Sequence, residues 1–277
     1  MSALFRLDDD LLVPSEMTRG GWSDDAQHGG PPCGILARAI ENVPTLGPMQ
    51  VVRFTVDLTR PVPLDPLQIE TSVVREGRRI QLVDAWLPAD GLELGRARAL
   101  RIRVGDLDLP VPETDSMPVG PESMDLLQWR GHFGEGDDLH RFHYDAVEIR
   151  TQNGSFNRSG PGTSWFRLLV PVVEGEEPSA FVRMATLADM ANGNSQFLDP
   201  TVHLFVNPDI SLHLHRLPRG DWIGMRSVSY PQHTGSAWPT PRSTTWRAAS
   251  GASSSPNTST GADGLGGLNV MQRVTHA

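Results

Sequence analysis

Asp189 lies in Pro178–Asn192 (PSAFVRMATLADMAN), where Phe181, Met184, Ala185, Leu187, Ala188 and Ala191 recur at helical spacing. A carboxylate on so apolar a face must find partners or shift its pKa. It is therefore a candidate for chemistry, and a buried Asp bonded to neighbouring backbone is the plainer alternative. His28-Gly29-Gly30 precedes a second helical stretch, where the helix start could bring these residues to a phosphate. The alternative is that the glycines allow tight packing and His28 caps a loop. Asn207-Pro208-Asp209 opens a strand, as turn chemistry would dictate. Arg216, Arg219 and Arg226 could meet phosphates or simply line a solvated strand end. His203, His213 and His215 invite a metal reading, but no carboxylate pattern accompanies them at ligand spacing, so no metal is expected. A serine nucleophile lacks its G-x-S-x-G turn: Gly154-Ser155 and Ser159-Gly160 have the wrong flanks. Cys33, the only cysteine, reads as a small core thiol and excludes an intrachain disulfide or a cysteine-based zinc site.

These residues need elements to hold them. Gln27–Asn42 (QHGGPPCGILARAIEN) opens on Gly-Gly-Pro-Pro and becomes a helix. Ile35, Leu36, Ala39, Ile40 and Val43 share one face, the prolines suit a first turn, and Pro44 stops it. Strands are expected at Leu4–Leu7, Leu11–Met17, Gln50–Leu58, Leu67–Glu76, Arg79–Leu87 and Leu94–Val104, divided by turn signals such as Pro61-Val62-Pro63 and Asp90-Gly91. The pattern then repeats: strands at Ala146–Phe156 and Ser164–Val173, the helix bearing Asp189, and strands at Asn207–His215 and Trp222–Tyr230. Two copies of one helix among strands imply a duplicated α+β architecture. The expected division is an N-terminal domain at 1–106, a linker at 107–140 with one helical turn at Ser123–Trp129, a C-terminal domain at 141–235, and a tail at 236–277.

A length of 277 residues suits two such domains, and 38% hydrophobic content supplies a core. A net charge of −9 argues against nucleic acid as the main partner. No apolar run reaches the ~18 residues of a membrane span, and the start MSALFRLDDD lacks a signal-peptide pattern. A soluble cytoplasmic protein is expected.

Gln27-His28-Gly29-Gly30-Pro31-Pro32, Thr59-Arg60-Pro61-Val62-Pro63, Leu187-Ala188-Asp189 and Asn207-Pro208-Asp209, with His213-Leu214-His215-Arg216 and Gly220-Asp221-Trp222 further on, resemble the TesB-like acyl-CoA thioesterases of the actinobacterial type. The likeness runs in order from Leu4 to Gly235. It implies a double hotdog, two antiparallel sheets each wrapped around one central helix. It also implies hydrolysis of fatty acyl-CoA without cofactor, and a homo-oligomer, expected as a dimer. The family places the water-binding group at Asp189, and Asn207 stands where relatives carry Thr. His28, Gly29, Gly30 and Arg216 are then candidates for holding substrate. The chemistry is expected at the second helix rather than the first. Two rivals remain: a non-catalytic acyl-CoA-binding module, and an enoyl-thioester hydratase, whose Asp–His pair would here have to be Asp24 and His28, four apart.

The family also has a Gln near the end of its last strand. The tail here, mostly Ser, Thr, Ala, Pro and Gly between Ser236 and Ala262, shows no alternation and reads as disordered. Read one base out of step from the codon of Gly235, its codons permit GIGMADTPLYDVEGRIGRIVQS, an alternating segment that restores the family pattern and puts the Gln near Ser255. A single-base frameshift near Gly235 is therefore expected, with two strands lost from the second sheet and an exposed edge.

Overall fold

The computed structural model describes residues 3–106, 108, 110, 117, 119–127, 139–152, 159–195 and 205–230, with strand segments at 236–237, 244–248 and 267–276. A hairpin, β1 (Phe5–Asp8) and β2 (Leu11–Pro14), leads to α1 (Gly30–Asn42). Pro31 and Pro32 occupy its first turn, and Ile35, Leu36, Ala37 and Ile40 are fully buried. Four strands follow: β3 (Met49–Leu58), β4 (Glu70–Arg75), β5 (Ile80–Ala89) and β6 (Leu92–Arg103). Ile40, one turn from the α1 C-terminus, is buried although Glu41 and Asn42 are exposed, and the last carbonyls need donors. Arg101 of β6 provides them, reaching Ile40 O, Val43 O at 2.8 Å and the Gln81 side chain at 2.8 Å.

The second half carries β7 (Asp125–Leu126), β8 (Val147–Thr151) and β9 (Gly162–Leu168) before its helix. The helical turn expected at Ser123–Trp129 is not found in its described part: a 3-10 turn at Pro121–Ser123 ends where it should begin, and Asp125–Leu126 form β7. The second helix is not continuous. Ser179 caps α2 (Ala180–Leu187) by accepting from Val182 N–H at 3.1 Å. The chain tightens to a 3-10 turn at Ala188–Met190, then resumes as α3 (Ala191–Asn194). The helix read across Pro178–Asn192 is therefore broken at Asp189, as helices often are at functional positions.

After α3 come β10 (Phe205–Leu214), β11 (Ile223–Ser227), β12 (Ser236–Ala237), β13 (Thr244–Ala248) and β14 (Gly267–His276). One antiparallel sheet runs β4-β5-β6-β3-β10-β14-β13-β11-β9-β8-β7. The duplication shows in this order: β3 pairs with β6 as β10 pairs with β14, and β5 lies beside β4 as β13 lies beside β11. The two halves join at β3 and β10, with Val56 opposite Ile210 and Phe54 opposite Leu212. All four of these side chains are buried.

This corrects the tail. Its strands β13 and β14 occupy the places expected to be lost, so the second sheet continues through them and does not end on an exposed edge at β10 or β11. For β13, strand partners on both sides override a Ser-, Thr- and Ala-rich composition, while β14 lies beyond the Ser236–Ala262 stretch. Gly235 and the position near Ser255 lie outside the described residues, as do His203 and most of the expected linker.

Both helices sit in one continuous hydrophobic core. Phe54 of β3 meets Phe181 of α2 edge-on, with ring centroids 5.2 Å apart. Each fully buried Phe, Leu or Ile contributes ~1.5–3 kcal/mol, so the halves are held mainly by this shared interior. The helices touch closely: a Cβ on Gly30 would lie 2.3 Å from Thr186 O.

Candidate active site

The 3-10 turn puts Asp189 at the end of α2, where the start of α1 and the first residues of β10 converge. Its Oδ1 accepts from Asn207 Nδ2 at 2.7 Å, and its Oδ2 lies 3.0 Å from His28 Nδ1. The Gly29 N–H also donates to it. A carboxylate only accepts, so the proton on the imidazole contact belongs to Nδ1. Gly30 N, 3.1 Å from that same nitrogen, cannot donate to it at the same time. Burial pushes the Asp189 carboxyl up. The His28 charge, its hydrogen bond, Asn207 and the Gly29 N–H outweigh burial and hold it below the usual carboxylate range.

The first half supplies the opposite wall. His28 N–H donates to Thr18 O at 2.8 Å and Gln27 N–H to Val62 O at 2.8 Å, which ties the loop before α1 to the Thr59–Pro63 segment. Buried Arg141 anchors the same loop through Gly20 O at 2.6 Å and Asp24 Oδ1 at 2.8 Å. Phe142 packs on the imidazole of His28, centroids 4.9 Å apart, and the His143 ring follows at 6.1 Å. Together these segments enclose a cavity of about 540 Å³, walled by Leu58, Val62, Met190, Val206 and Pro208, with Asp189, Asn207, His28 and Gly29 on its lining and Arg60 also facing it.

Four of the six residues singled out from the sequence thus meet in one place: His28, Gly29, Asp189 and Asn207. Gly30 stands just behind them against Thr186. Arg216 does not line the cavity, and burial and then Arg219 push its guanidinium pKa below the ordinary value. The start of the first helix, expected to stand apart from the second, meets it here: His28 and Gly29 contact Asp189 directly. The hydratase pairing of Asp24 with His28 is also absent: Asp24 bonds Arg141, and His28 bonds Asp189. Cys33 is buried, and burial and then the Asp189 charge push its thiol well up, so a thiolate nucleophile is disfavoured. Among the described residues, no group of three His, Cys, Asp or Glu could hold a metal ion. None of the described helices is long and apolar enough to cross a membrane.

Sequence reasoning missed Phe142, His143 and Arg60 as parts of the site. Phe142 and His143 sit in a π-helical turn, Phe142–Ala146, which no periodicity announces. Arg60 lay within a quoted motif but was not distinguished from the arginines further on. The last strand carries a glutamine, Gln272, whose backbone stands opposite Ile210.

A carboxylate held between two helix-wrapping half-sheets, on the wall of an apolar cavity, defines a double-hotdog protein. Residues 18–102 match the N-terminal domain of acyl-CoA thioesterases and residues 118–238 their C-terminal domain, so the chain belongs to the acyl-CoA thioesterase family. It is similar in structure to the tesB protein of Mycobacterium avium subs paratuberculosis (16% identity over 91% of this chain and 88% of that one, TM-score 0.63). Acyl-CoA thioesterase II TesB2 of Mycobacterium marinum is 15% identical over 98% and 93% of the two chains, with TM-score 0.63. A hot dog protein of unknown function from Alicyclobacillus acidocaldarius is 15% identical over 98% and 94%, with TM-score 0.66. At these identities the likeness concerns the fold. No curated protein matches the chain.

Proposed function

We propose that this protein hydrolyses fatty acyl-CoA to free acid and CoA by direct attack of a water positioned by Asp189. One observation carries the reading: Asp189 and Asn207 present two acceptor sites at the same point of the cavity. A carboxylate has about four lone-pair sites, and three donors already hold Asp189. With Asn207 Nδ2 committed to Asp189, Asn207 Oδ1 is buried with no partner among the described residues. A water donating to both oxygens keeps a lone pair for the thioester carbon.

The water's O–H breaks towards Asp189 as its oxygen bonds to that carbon. The tetrahedral intermediate then expels CoA thiolate, which takes up the proton, and no covalent enzyme intermediate forms. The apolar walls suit an acyl chain, and Arg60 suits a phosphate of the CoA portion. Arg216 then has no direct part in holding substrate. A cytoplasmic homodimer is part of the same reading. The C-terminal family match stops at residue 238, which supports a change of reading frame near Gly235. Resequencing the locus tests that, and an intact frame overturns it.

The His28–Asp189 contact favours a second reading, hydration of an enoyl-thioester by the same pair. Titration with a non-hydrolysable acyl-CoA analogue, alongside free-thiol release from acyl-CoA and loss of enoyl absorbance from enoyl-CoA, separates the possibilities. Thiol release is expected. Binding without release overturns the reading in favour of a binding module, and loss of enoyl absorbance alone favours the hydratase.

A further inference from the structure

Asp189 belongs to the second half of the chain, but its charge is held by the first. Three facts converge on His28. Its Nδ1 is 3.0 Å from Asp189 Oδ2, in a contact where the proton must sit on the nitrogen. Both side chains are largely enclosed, 16% and 9% exposed, so solvent screens the contact weakly. The neighbouring backbone is built for close approach, since a Cβ on Gly29 would lie 2.7 Å from the same Asp189 oxygen.

The groups facing Asp189 from the other packed elements are Asn207 of β10 and Cys33 of α1. The first is neutral, and the second is a buried thiol kept protonated by burial and then by the Asp189 charge. Arg101, Arg141 and Arg38 are each engaged elsewhere: at the α1 C-terminus, at Asp24 and at Glu176. Arg60 and His143 line the same cavity, and among the described residues His28 is the ionisable base in direct contact with this carboxylate.

We propose that His28 is a positioning residue that fixes Asp189 in the charged, correctly turned form across the junction of the two halves. The site is therefore complete only when the loop before α1 is seated on the second helix. His28 exchanges no proton with substrate in this role. It supplies one hydrogen bond and, when protonated, one charge. This assignment deepens the thioesterase reading and rests on it for its kinetic test.

The experiment compares wild type, His28→Ala and His28→Asn in thiol release across pH. Asn places its amide N–H near the position of Nδ1, so it restores the hydrogen bond without the charge. Asp189 must be ionised to work, so kcat/KM falls on the acid side as it takes up a proton. An opposite charge this close moves a carboxylate pKa by ~1–3 units. Removing His28 should move the acid limb upward by about one unit or more, a roughly tenfold further loss at low pH. At pH 8 His28→Ala should be about tenfold slow, and His28→Asn should recover most of that rate while its acid limb stays shifted.

An unmoved acid limb with a rate at pH 8 within twofold of wild type overturns the proposal. So does a loss of ~1,000-fold or more at every pH that His28→Asn does not relieve, since that would make His28 a group acting on the reacting atoms. Carbon-13 titration of the Asp189 carboxyl, assigned by its disappearance in Asp189→Asn, reads the same shift without turnover. If wild type releases no thiol, the hydrolase reading fails. A carboxyl shift on removing His28 still upholds its positioning role, and the absence of that shift still overturns it.

Discussion

Replacing Gly29 with alanine adds one methyl group at the point where the two halves meet. Gly29 has φ −63° and ψ −21°, an ordinary right-handed conformation, so alanine brings no backbone strain. What it brings is contact. The new Cβ would stand 2.7 Å from Asp189 Oδ2 and 2.8 Å from Leu58 Cδ1. Relief to an ordinary 3.4 Å contact means about 0.7 Å of movement at the carboxylate. The His28–Asp189 distance of 3.0 Å and the Asn207–Asp189 distance of 2.7 Å cannot both survive that displacement. A misplacement near 1 Å at a reacting group costs about 100-fold. The expected loss in kcat/KM is therefore ~10–100-fold, or ~1.4–2.7 kcal/mol of transition-state stabilisation. Overpacking should also cost ~1–3 kcal/mol of stability. The assay is thiol release at saturating and limiting acyl-CoA, with circular dichroism and urea unfolding to confirm that the variant is folded. Gly47→Ala is the matched control, because a Cβ there meets nothing within 4 Å. A folded Gly29→Ala protein with kcat/KM within twofold of wild type would refute the close-approach argument.

Other predictions concern the remaining contacts. Asn207→Ala removes a 2.7 Å donor to Asp189 and one acceptor for the water, and should lower kcat by ~10–100-fold with little change in urea midpoint. Arg101→Met leaves the Val43 carbonyl and Gln81 Oε1 without this donor and the Ile40 carbonyl with only the Val43 N–H at 3.1 Å, and should cost ~2–4 kcal/mol in urea unfolding while sparing KM. The pKa of Asp189 is depressed in the folded state, so its stabilisation is present above the unfolded value, ~3.9, and is lost as pH falls through the lower folded value. The stability gap between wild type and Asp189→Asn should therefore narrow below about pH 4, and a gap that widens there would contradict the assignment.

The sequence makes local structure legible where periodicity is strong. Pro31 and Pro32 at the first turn, the Ile35–Ile40 face and Pro44 beyond mark α1 closely, from Gly30 to Asn42. The second helix was legible as a helix but not as a broken one, because the 3-10 turn at Ala188–Met190 carries no sequence signal of its own. The tail strands failed for a different reason. Thr244–Ala248 sits in a Ser-, Thr- and Ala-rich stretch and gains strand form from Ile223–Ser227, distant in sequence, while Gly267–His276, beyond that stretch, pairs with Phe205–Leu214.

The site shows the same division. Asp189 and Asn207 could be named from the family pattern and from an isolated carboxylate among apolar residues. His28 and Gly29 were legible as candidates for holding substrate, but not their direct contact with Asp189, since it spans two halves of the fold and 161 positions of chain. Spacing rules work within an element, and this pairing is made by β3 joining β10 and by the two helices meeting at Gly30.

The central claim is that Asp189, as a carboxylate, directs hydrolysis of an acyl-CoA thioester. The most direct measurement is free-thiol release by wild type and Asp189→Asn over a series of acyl chain lengths, with folding verified by thermal unfolding. Asn preserves the size of the side chain and removes the charge. The account predicts thiol release by wild type and a loss of ~100-fold or more in kcat for Asp189→Asn at every chain length. Equal turnover by the two folded proteins would contradict it.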